Sequence, residues 1–148
     1  MDLRGRMGLS DLAEMGRAER GLVVVATTRS DGSVQSTVVN AGVMSHPVSG
    51  RESVAFVAAG RVKLANLRAR PRATVTVRSG WRWVTAEGTT EIAGPDDPLP
   101  GVDDVPALLR AVFVAAGGTH EDWDEFDRTM AADRRAAVFL DPRRVYGV

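Results

Sequence analysis

The sequence contains no cysteine, which excludes disulfides, thiolate catalysis and cysteine-ligated zinc sites. It also lacks any run approaching the roughly 20 apolar residues of a membrane span, and its first ten residues, MDLRGRMGLS, lack the apolar core of a signal peptide. These absences predict a cytoplasmic protein with no membrane partner. The 148 residues suffice for one domain whose core needs neither disulfide nor metal.

The sequence also has no excess of positive or negative charge. The 19 basic and 19 acidic residues cancel, so a broad nucleic-acid-binding surface is not expected. All but one of the basic residues are arginine, and the single lysine is Lys63. Because arginine occupies every other basic position, the lysine at position 63 is a notable exception.

Signatures of several enzyme classes are absent. No GxSxG, Walker loop or GxGxxG occurs. His46 and His120 lie far apart with no ligand-spaced partner, so no metal site is expected. The acidic cluster at 120–125 is interpreted as a solvated helix start rather than a catalytic carboxylate pair, because its charges complement a helix N-terminus.

The hydrophobic pattern predicts about six strands with helices inserted between them. The strands are predicted at 22–28, 33–44, 53–59, 72–78, 81–93 and 136–140, the last pairing again through Val145 and Tyr146. Helices are predicted at 10–20 after a flexible tail (1–9), at 60–72, and in an insert of about 103–134 that follows a Pro- and Gly-rich linker. Residues 10–148 are read as one domain. Because the first strands are hairpin neighbours, an antiparallel barrel with flanking helices is the natural arrangement.

The helical insert divides into two predicted helices. Asp104 is the expected cap of the first, and Thr119 with Asp122 resembles a capping box for the second. Since the insert lies between the last two strands, a hypothesis is that it caps the functional site.

Two predicted strands carry side chains that core packing does not require. Gln35 and Thr37 alternate with Ser36 and Val38, and such polar residues either pair across strands or line a site. Trp81 and Trp83 are predicted to share one face of a later strand, which is typical of a core or a subunit interface.

The stretch 60–72, GRVKLANLRARPR, predicts a short amphipathic helix that ends before Pro71. Lys63, Asn66 and Arg70 share one face, and Arg61 and Lys63 lie at the N-terminus, where backbone N–H groups are unpaired. This arrangement suits a phosphate group. The alternative is that both cations are ordinary surface charges.

The segment from Ala58 to Lys63, continued by Asn66-Leu67 and Pro71-Arg72, and later Trp83-Val84 and Glu87-Gly88, resembles a known family. It is similar to the pyridoxamine 5′-phosphate oxidase-like split-barrel superfamily, in particular its actinobacterial branch of flavin and deazaflavin oxidoreductases, many of which use coenzyme F420. The R-x-K-x-x-N-L…P-R pattern carries the resemblance, which covers roughly 22–148.

The resemblance implies a mainly β (α+β) fold, an antiparallel six-stranded split β-barrel of the FMN-binding type with flanking helices. It also implies a homodimer with a cofactor at the interface. By that analogy the cofactor phosphate is held by Arg61 and Lys63, with help from Asn66. The implied ring contacts are Gln35, Ser36, Thr37, Val38 and, from the partner subunit, Trp83.

The implied activity is transfer of a hydride between reduced coenzyme F420 and an unsaturated small molecule; no residue stands out as the proton donor. Members of the family often carry a hydroxyl residue at the strand end that Ala58 and Ala59 occupy here. This departure weakens the expectation of FMN and leaves room for a deazaflavin. The alternatives are an FMN-dependent flavin reductase or oxidase and a non-catalytic cofactor or tetrapyrrole-binding module.

Overall fold

The computed structural model describes residues 7–148, which form six strands and four helices. In chain order they are α1 (Leu9–Ala18), β1 (Leu22–Thr28), β2 (Val34–Ser45), β3 (Glu52–Ala58), α2 (Arg61–Ala69), β4 (Arg72–Ser79), β5 (Arg82–Ala93), α3 (Val105–Ala115), α4 (Trp123–Ala132) and β6 (Ala136–Gly147). The strands pair antiparallel in the closed order β1-β2-β3-β6-β5-β4, which confirms the predicted antiparallel barrel with flanking helices.

The barrel interior is filled by the inward-facing half of each alternating strand. In β4, for example, Ala73, Val75 and Val77 are buried while the intervening threonines face outward. Two helices add side chains to this core. Leu12 comes from α1, and Leu64 and Leu67 come from α2. The barrel core is therefore completed by both helices.

The insert forms a second, separate core on the outer surface of the barrel. Leu109 and Val112 of α3 and Phe126 of α4 pack against Ala55 of β3 and Phe139 of β6. Both helices thus cover β3 and β6 from outside. None of the helices in residues 7–148 is long and apolar enough to cross a membrane.

Helix caps account for three boundaries. The side chain of Asp104 accepts a hydrogen bond from the backbone of Ala107 at the start of α3, as predicted. The predicted Thr119–Asp122 capping box is wrong, because Asp122 is itself the N-cap of α4 and accepts from the backbone N–H of Glu125. Helix α1 begins after Gly8, before the predicted cap Ser10. Residues 1–6 of the predicted tail lie outside the described residues.

Strand β6 runs unbroken through Pro142, where the sequence predicted two separate pieces. Pro142 lies opposite Gly88, next to a shift in the β5–β6 register between Glu87 and Gly88. A proline is tolerated in a strand at such an irregularity, because the hydrogen bond it cannot donate is already missing from the ladder. The bulge predicted at Gly88 is thereby confirmed.

The Pro- and Gly-rich linker between β5 and α3 is held in place. Gly94 and Asp97 form an isolated β-bridge. The carboxylate of Asp97 accepts two hydrogen bonds from Arg68 of α2, at 2.9 and 2.6 Å. Asp96 forms a similar pair with Arg134, just before β6. The linker therefore ties α2 to the start of the last strand.

Gly42 of β2 is where the end of α3 meets the barrel. A Cβ atom added at Gly42 would collide with the backbone carbonyl of Ala115 and the backbone nitrogen of Ala116. Backbone atoms cannot move aside as the end of a flexible side chain can. Only glycine therefore permits this close approach.

We expect Gly42→Ala to lower the free energy of unfolding by about 2 to 3 kcal/mol, because α3 must move away from β2. Gly16→Ala is the matched control: a Cβ at this buried position in α1 meets nothing within 4 Å. That variant should gain about 0.5 to 1 kcal/mol from helix propensity. Urea unfolding of both variants measures the difference, and equal stability of Gly42→Ala and the wild type would contradict the packing described.

Candidate functional site

Helix α2 starts without any side chain to satisfy its first backbone N–H groups. Its N-cap is Gly60, which supplies no capping side chain, and its first turn contains no acidic residue. Arg61 and Lys63 add two cations to this turn, so unpaired N–H groups, the helix dipole and two full charges coincide. An anion is the natural complement of such a helix start.

Lys63 lies on the barrel-facing side of α2 with Leu64, Asn66 and Leu67, and only 7% of its surface is exposed. Among residues 7–148, no ion pair or side-chain hydrogen bond engages its ammonium group. Burial alone lowers the pKa of Lys63. Partial desolvation of an ammonium group without a partner is costly, and an anionic ligand would remove much of that cost.

Asn66 anchors α2 to the barrel through both ends of its amide. Its Nδ2 donates to Oγ1 of Thr27 at 3.1 Å, and its Oδ1 accepts from the guanidinium of Arg70 at 3.2 Å. The hydroxyl of Thr27 in turn donates to Oε1 of Gln35 at 3.3 Å. Arg70 also donates from Nε to the backbone carbonyl of Thr28 at 2.7 Å. A continuous polar chain therefore joins α2, β1 and β2.

The other predicted site residues divide between the two faces of the barrel wall. Thr37 lies on the inward side of β2 with Gln35, and its hydroxyl is buried with no partner among the described residues. Ser36 and Val38 point outward, and Trp83 lies outside the barrel on β5. The structure thus brings Lys63, Asn66, Gln35 and Thr37 to one side, and leaves the remaining residues on the outer surface.

Trp83 packs against Tyr146 of β6, with ring centroids 5.9 Å apart and the rings nearly perpendicular. Tyr146 donates its hydroxyl to Glu87 at 3.0 Å, and burial together with this carboxylate raises the pKa of Tyr146. Trp81, predicted to share a strand face with Trp83, instead lies in the β4–β5 turn and is 98% exposed.

A groove of about 410 Å³ lies on the outer face of β1, β4, β5 and β6 and also borders Val34 at the start of β2. Thr28, Thr74, Thr89, Glu87 and Arg143 are among its lining residues. It adjoins the polar chain, because Thr27 and Thr28 belong to both. The groove therefore reaches from the outer sheet to the end of α2.

Thr27 and the groove were not predicted from the sequence. Thr27 follows a run of valines and alanine that reads as plain core, and only its inward position two residues before the turn hints at a polar role. The groove residues come from five strands, so no local pattern could identify them. Helical spacing placed Arg70 on the same face as Asn66, but it did not predict the hydrogen bonds that Arg70 forms.

The chain is similar in sequence pattern and fold to known proteins. The family model described as pyridoxamine 5′-phosphate oxidase matches residues 11–147. A conserved hypothetical protein, Rv2991 from Mycobacterium tuberculosis, is 23% identical with a TM-score of 0.68, and the match covers 96% of this chain and 84% of that one. An F420 reductase is 19% identical with a TM-score of 0.62, covering 95% and 97% of the two chains.

A pyridoxamine 5′-phosphate oxidase-related, FMN-binding protein from Nostoc punctiforme is 12% identical, covering 93% of this chain and 80% of that one, with a TM-score of 0.58. At these identities the solved structures show a shared fold. The closed six-stranded antiparallel barrel with flanking helices places the protein in the split-barrel class. Given the match over residues 11–147, this chain belongs to the pyridoxamine 5′-phosphate oxidase family.

Removal of the buried charge should stabilise the ligand-free protein. We expect Lys63→Met to raise the free energy of unfolding at neutral pH by on the order of 1 kcal/mol, because an unpaired ammonium no longer has to be desolvated. Arg61→Gln removes the same charge at an exposed position, so its effect should stay within about 0.5 kcal/mol.

The advantage of Lys63→Met should shrink in alkaline solution. Because burial lowers the pKa of Lys63 in the folded state, the unfolded chain binds more protons between the folded and unfolded pKa values. Wild-type stability therefore rises with pH across that window relative to the variant. Urea unfolding at a series of pH values measures this, and a stability difference independent of pH would contradict the buried, unpartnered state.

Proposed function

We propose that the protein is an oxidoreductase that binds reduced coenzyme F420 and transfers a hydride to an unsaturated small molecule. The observation that carries the proposal is the largely buried side chain of Lys63, whose ammonium group has no partner among the described residues and lies in the uncapped first turn of α2. A phosphate-bearing cofactor supplies the missing counter-charge at this position.

The chain's own residues fit such a cofactor. Arg61 and Lys63 would hold its phosphate together with the first N–H groups of α2. Asn66 would assist by fixing α2 against β1, since its amide is fully engaged with Thr27 and Arg70. These contacts preorganise the cationic turn, so the binding energy is not spent on ordering it.

The ring of the cofactor would lie along β2, beside Gln35, Ser36, Thr37 and Val38. When bound, the reduced deazaflavin supplies the hydride, while the protein holds ring and acceptor face to face and excludes water. Ala58, the last residue of β3, and Ala59 precede the cationic turn without offering a hydroxyl to the phosphate. This supports F420 over FMN as the cofactor.

We further propose that two copies of the chain enclose the cofactor. The outer face of β1 and β2 exposes Leu22, Val24, Val34 and Val38, and Val24 lies directly opposite Val38. Contiguous exposed apolar side chains of this kind mark an interface, because leaving them in water is unfavourable. A partner subunit on this face would bring its Trp83 towards the cofactor.

Titration with F420 and with FMN tests the cofactor assignment. We expect the protein to bind F420 with micromolar affinity and FMN more weakly. Lys63→Met should weaken F420 binding by at least about 30-fold, because a buried charge partner is lost. Arg61→Gln should cost up to about fivefold, since its charge is exposed to water.

Arg128→Gln on α4 is the control for general loss of positive charge, and it should leave both affinities unchanged. Fluorescence and absorbance titrations measure these affinities. Full F420 affinity in Lys63→Met would refute the phosphate site, whereas tight FMN binding with weak F420 binding would refute the choice of cofactor alone.

An FMN-dependent flavin reductase or oxidase is the second candidate. The fold shared with the FMN-binding protein from Nostoc punctiforme supports it, and the same cationic turn would serve. A yellow protein whose flavin is released by denaturation would favour this alternative. A third possibility, a non-catalytic cofactor or tetrapyrrole-binding module, would be favoured by cofactor binding without hydride transfer to enones, quinones or biliverdin.

The proposed dimer is tested at Val24, which lies on the exposed face but outside the proposed cofactor contacts. We expect Val24→Asp to shift the protein from dimer to monomer by at least about tenfold in dissociation constant, since a carboxylate would be desolvated at the interface. Val48→Asp places the same charge on an exposed valine of the β2–β3 loop and should leave the dimer intact. Sedimentation analysis decides, and a wild type that is monomeric at high concentration would overturn the proposal.

A further inference from the structure

A second cavity, of about 240 Å³, lies between the helical insert and the outer face of β3. Its lining comes mainly from aromatic and long apolar side chains. The lining residues include Val57, Phe113, His120, Phe126, Thr129 and Met130. Because Val57 points away from the barrel core, this cavity lies on the opposite face of β3 from the interior.

Aromatic rings form the wall of this cavity. The ring of Phe126 lies 5.0 Å from that of Phe113 and 5.7 Å from that of His120, measured between centroids. Trp123 contacts Phe126 edge-on at 5.2 Å and carries the guanidinium of Arg110 over its own face at 5.4 Å. These tilted and perpendicular pairs are favourable geometries, so the wall is preformed.

Glycine completes one side of the wall. A Cβ atom at Gly118 would collide with the ring of Phe113. The backbone N–H of Gly118 also donates to the carbonyl of Phe113 at 2.9 Å. The loop after α3 is thereby drawn against the aromatic ring, and the loop carries His120 to the mouth of the cavity.

His120 contributes one directed polar group. Its Nδ1 accepts a hydrogen bond from the backbone N–H of Asp122 at 3.1 Å, so the neutral ring carries its proton on Nε2. No hydrogen bond to this Nε2–H is formed by residues 7–148. His120, one of the lining residues, therefore has an imidazole donor with no partner among residues 7–148 beside mainly apolar walls.

The charges near the cavity do not favour an ionic ligand. Arg135, which also lines it, is paired with the carboxylate of Asp133 at 3.0 Å. The start of α4 carries Asp122, Asp124 and Glu125, which would repel an anion. No carboxylate is among the lining residues, so a cation would find no counter-charge inside.

We propose that this cavity binds a neutral, planar aromatic compound of one or two rings whose carbonyl oxygen accepts a hydrogen bond from Nε2–H of His120. The volume is below the usual range of about 300 to 1,000 Å³ for drug-sized ligands, which limits the ring count. The site goes beyond the proposed function and does not depend on it, because neither Lys63 nor any other proposed cofactor contact lines the cavity.

Binding of 1-indanone and of indane, which share two rings but differ in the carbonyl group, tests the proposal. We expect 1-indanone to bind with a dissociation constant of about 1 mM or tighter, given its size. Indane should bind about tenfold more weakly, because it leaves the imidazole donor unpaired. Amide NMR spectra of the labelled protein should place the shifts at 113–130.

Three variants separate the cavity from other surfaces. His120→Phe should reduce the affinity for 1-indanone about tenfold while leaving that for indane unchanged, because only the donor is lost. Thr129→Phe should block both compounds by filling the cavity, whereas Thr119→Phe, the same change outside the lining, should block neither. His120 ring-nitrogen spectra of the wild type should show a proton on Nε2, a readout that needs no variant.

Shifts centred on the groove at Thr28 and Thr74 would overturn the assignment of the site. Equal affinity for 1-indanone and indane would overturn the role of His120, as would a proton on Nδ1 in the wild type. Absence of binding by either compound up to about 10 mM would overturn the proposal as a whole. The F420 titration is measured separately, so either proposal can fail alone.

Discussion

The docking of α2 against the barrel is the constraint on which the proposed site depends. Leu64 and Leu67 insert into the barrel core, and Asn66 joins the helix to Thr27 by a buried hydrogen bond. These contacts occupy the same side of the helix as Lys63, so the lysine is carried into the protein with them. The apolar contacts therefore offset the cost of desolvating a charge that an exposed helix would leave in water.

This arrangement separates the requirements of stability from those of binding. A protein selected only for stability would carry methionine or leucine in place of Lys63, since natural cores rarely contain an unpaired cation. The polar residues Asn66, Thr27 and Gln35 hydrogen-bond to one another in a chain, and so they add rigidity at a lower cost than an unpaired charge. Among the charged groups of α2, Lys63 is left without a partner in the described residues, which places a destabilising element where a phosphate would be held.

The sequence predicted the local elements well where one physical signal dominated. The β-branched run 22–28 predicted both ends of β1 correctly. The alternation in β4 identified its buried valines correctly. Prediction failed where long-range contacts decided the outcome. Pro142 suggested the end of a strand, but its partner Gly88 lies in β5, and the irregularity that accommodates the proline depends on both.

The candidate site shows the same division. Helical spacing placed Lys63 and Asn66 on one face, which the structure confirms, but it could not tell which face of α2 would be buried. Val62, the residue between the two cations, is exposed although it is apolar, because Leu64 and Leu67 orient the helix. The contacts of Thr27, and the groove lined by five strands, depend on the closed barrel and could not be read from any local pattern.

Strand order has a consequence for how the chain is made. Strand β6 lies between β3 and β5, and Ala58 pairs with Ala136 across the whole of α2, β4, β5 and the insert. Such distant pairing slows folding, because a long loop must be ordered before the contact forms. During synthesis β3, with Val54 and Phe56 at its centre, has an open edge until β6 emerges from the ribosome. The nascent chain is thus exposed to misassembly for longest at the strand that later separates the barrel core from the helical insert.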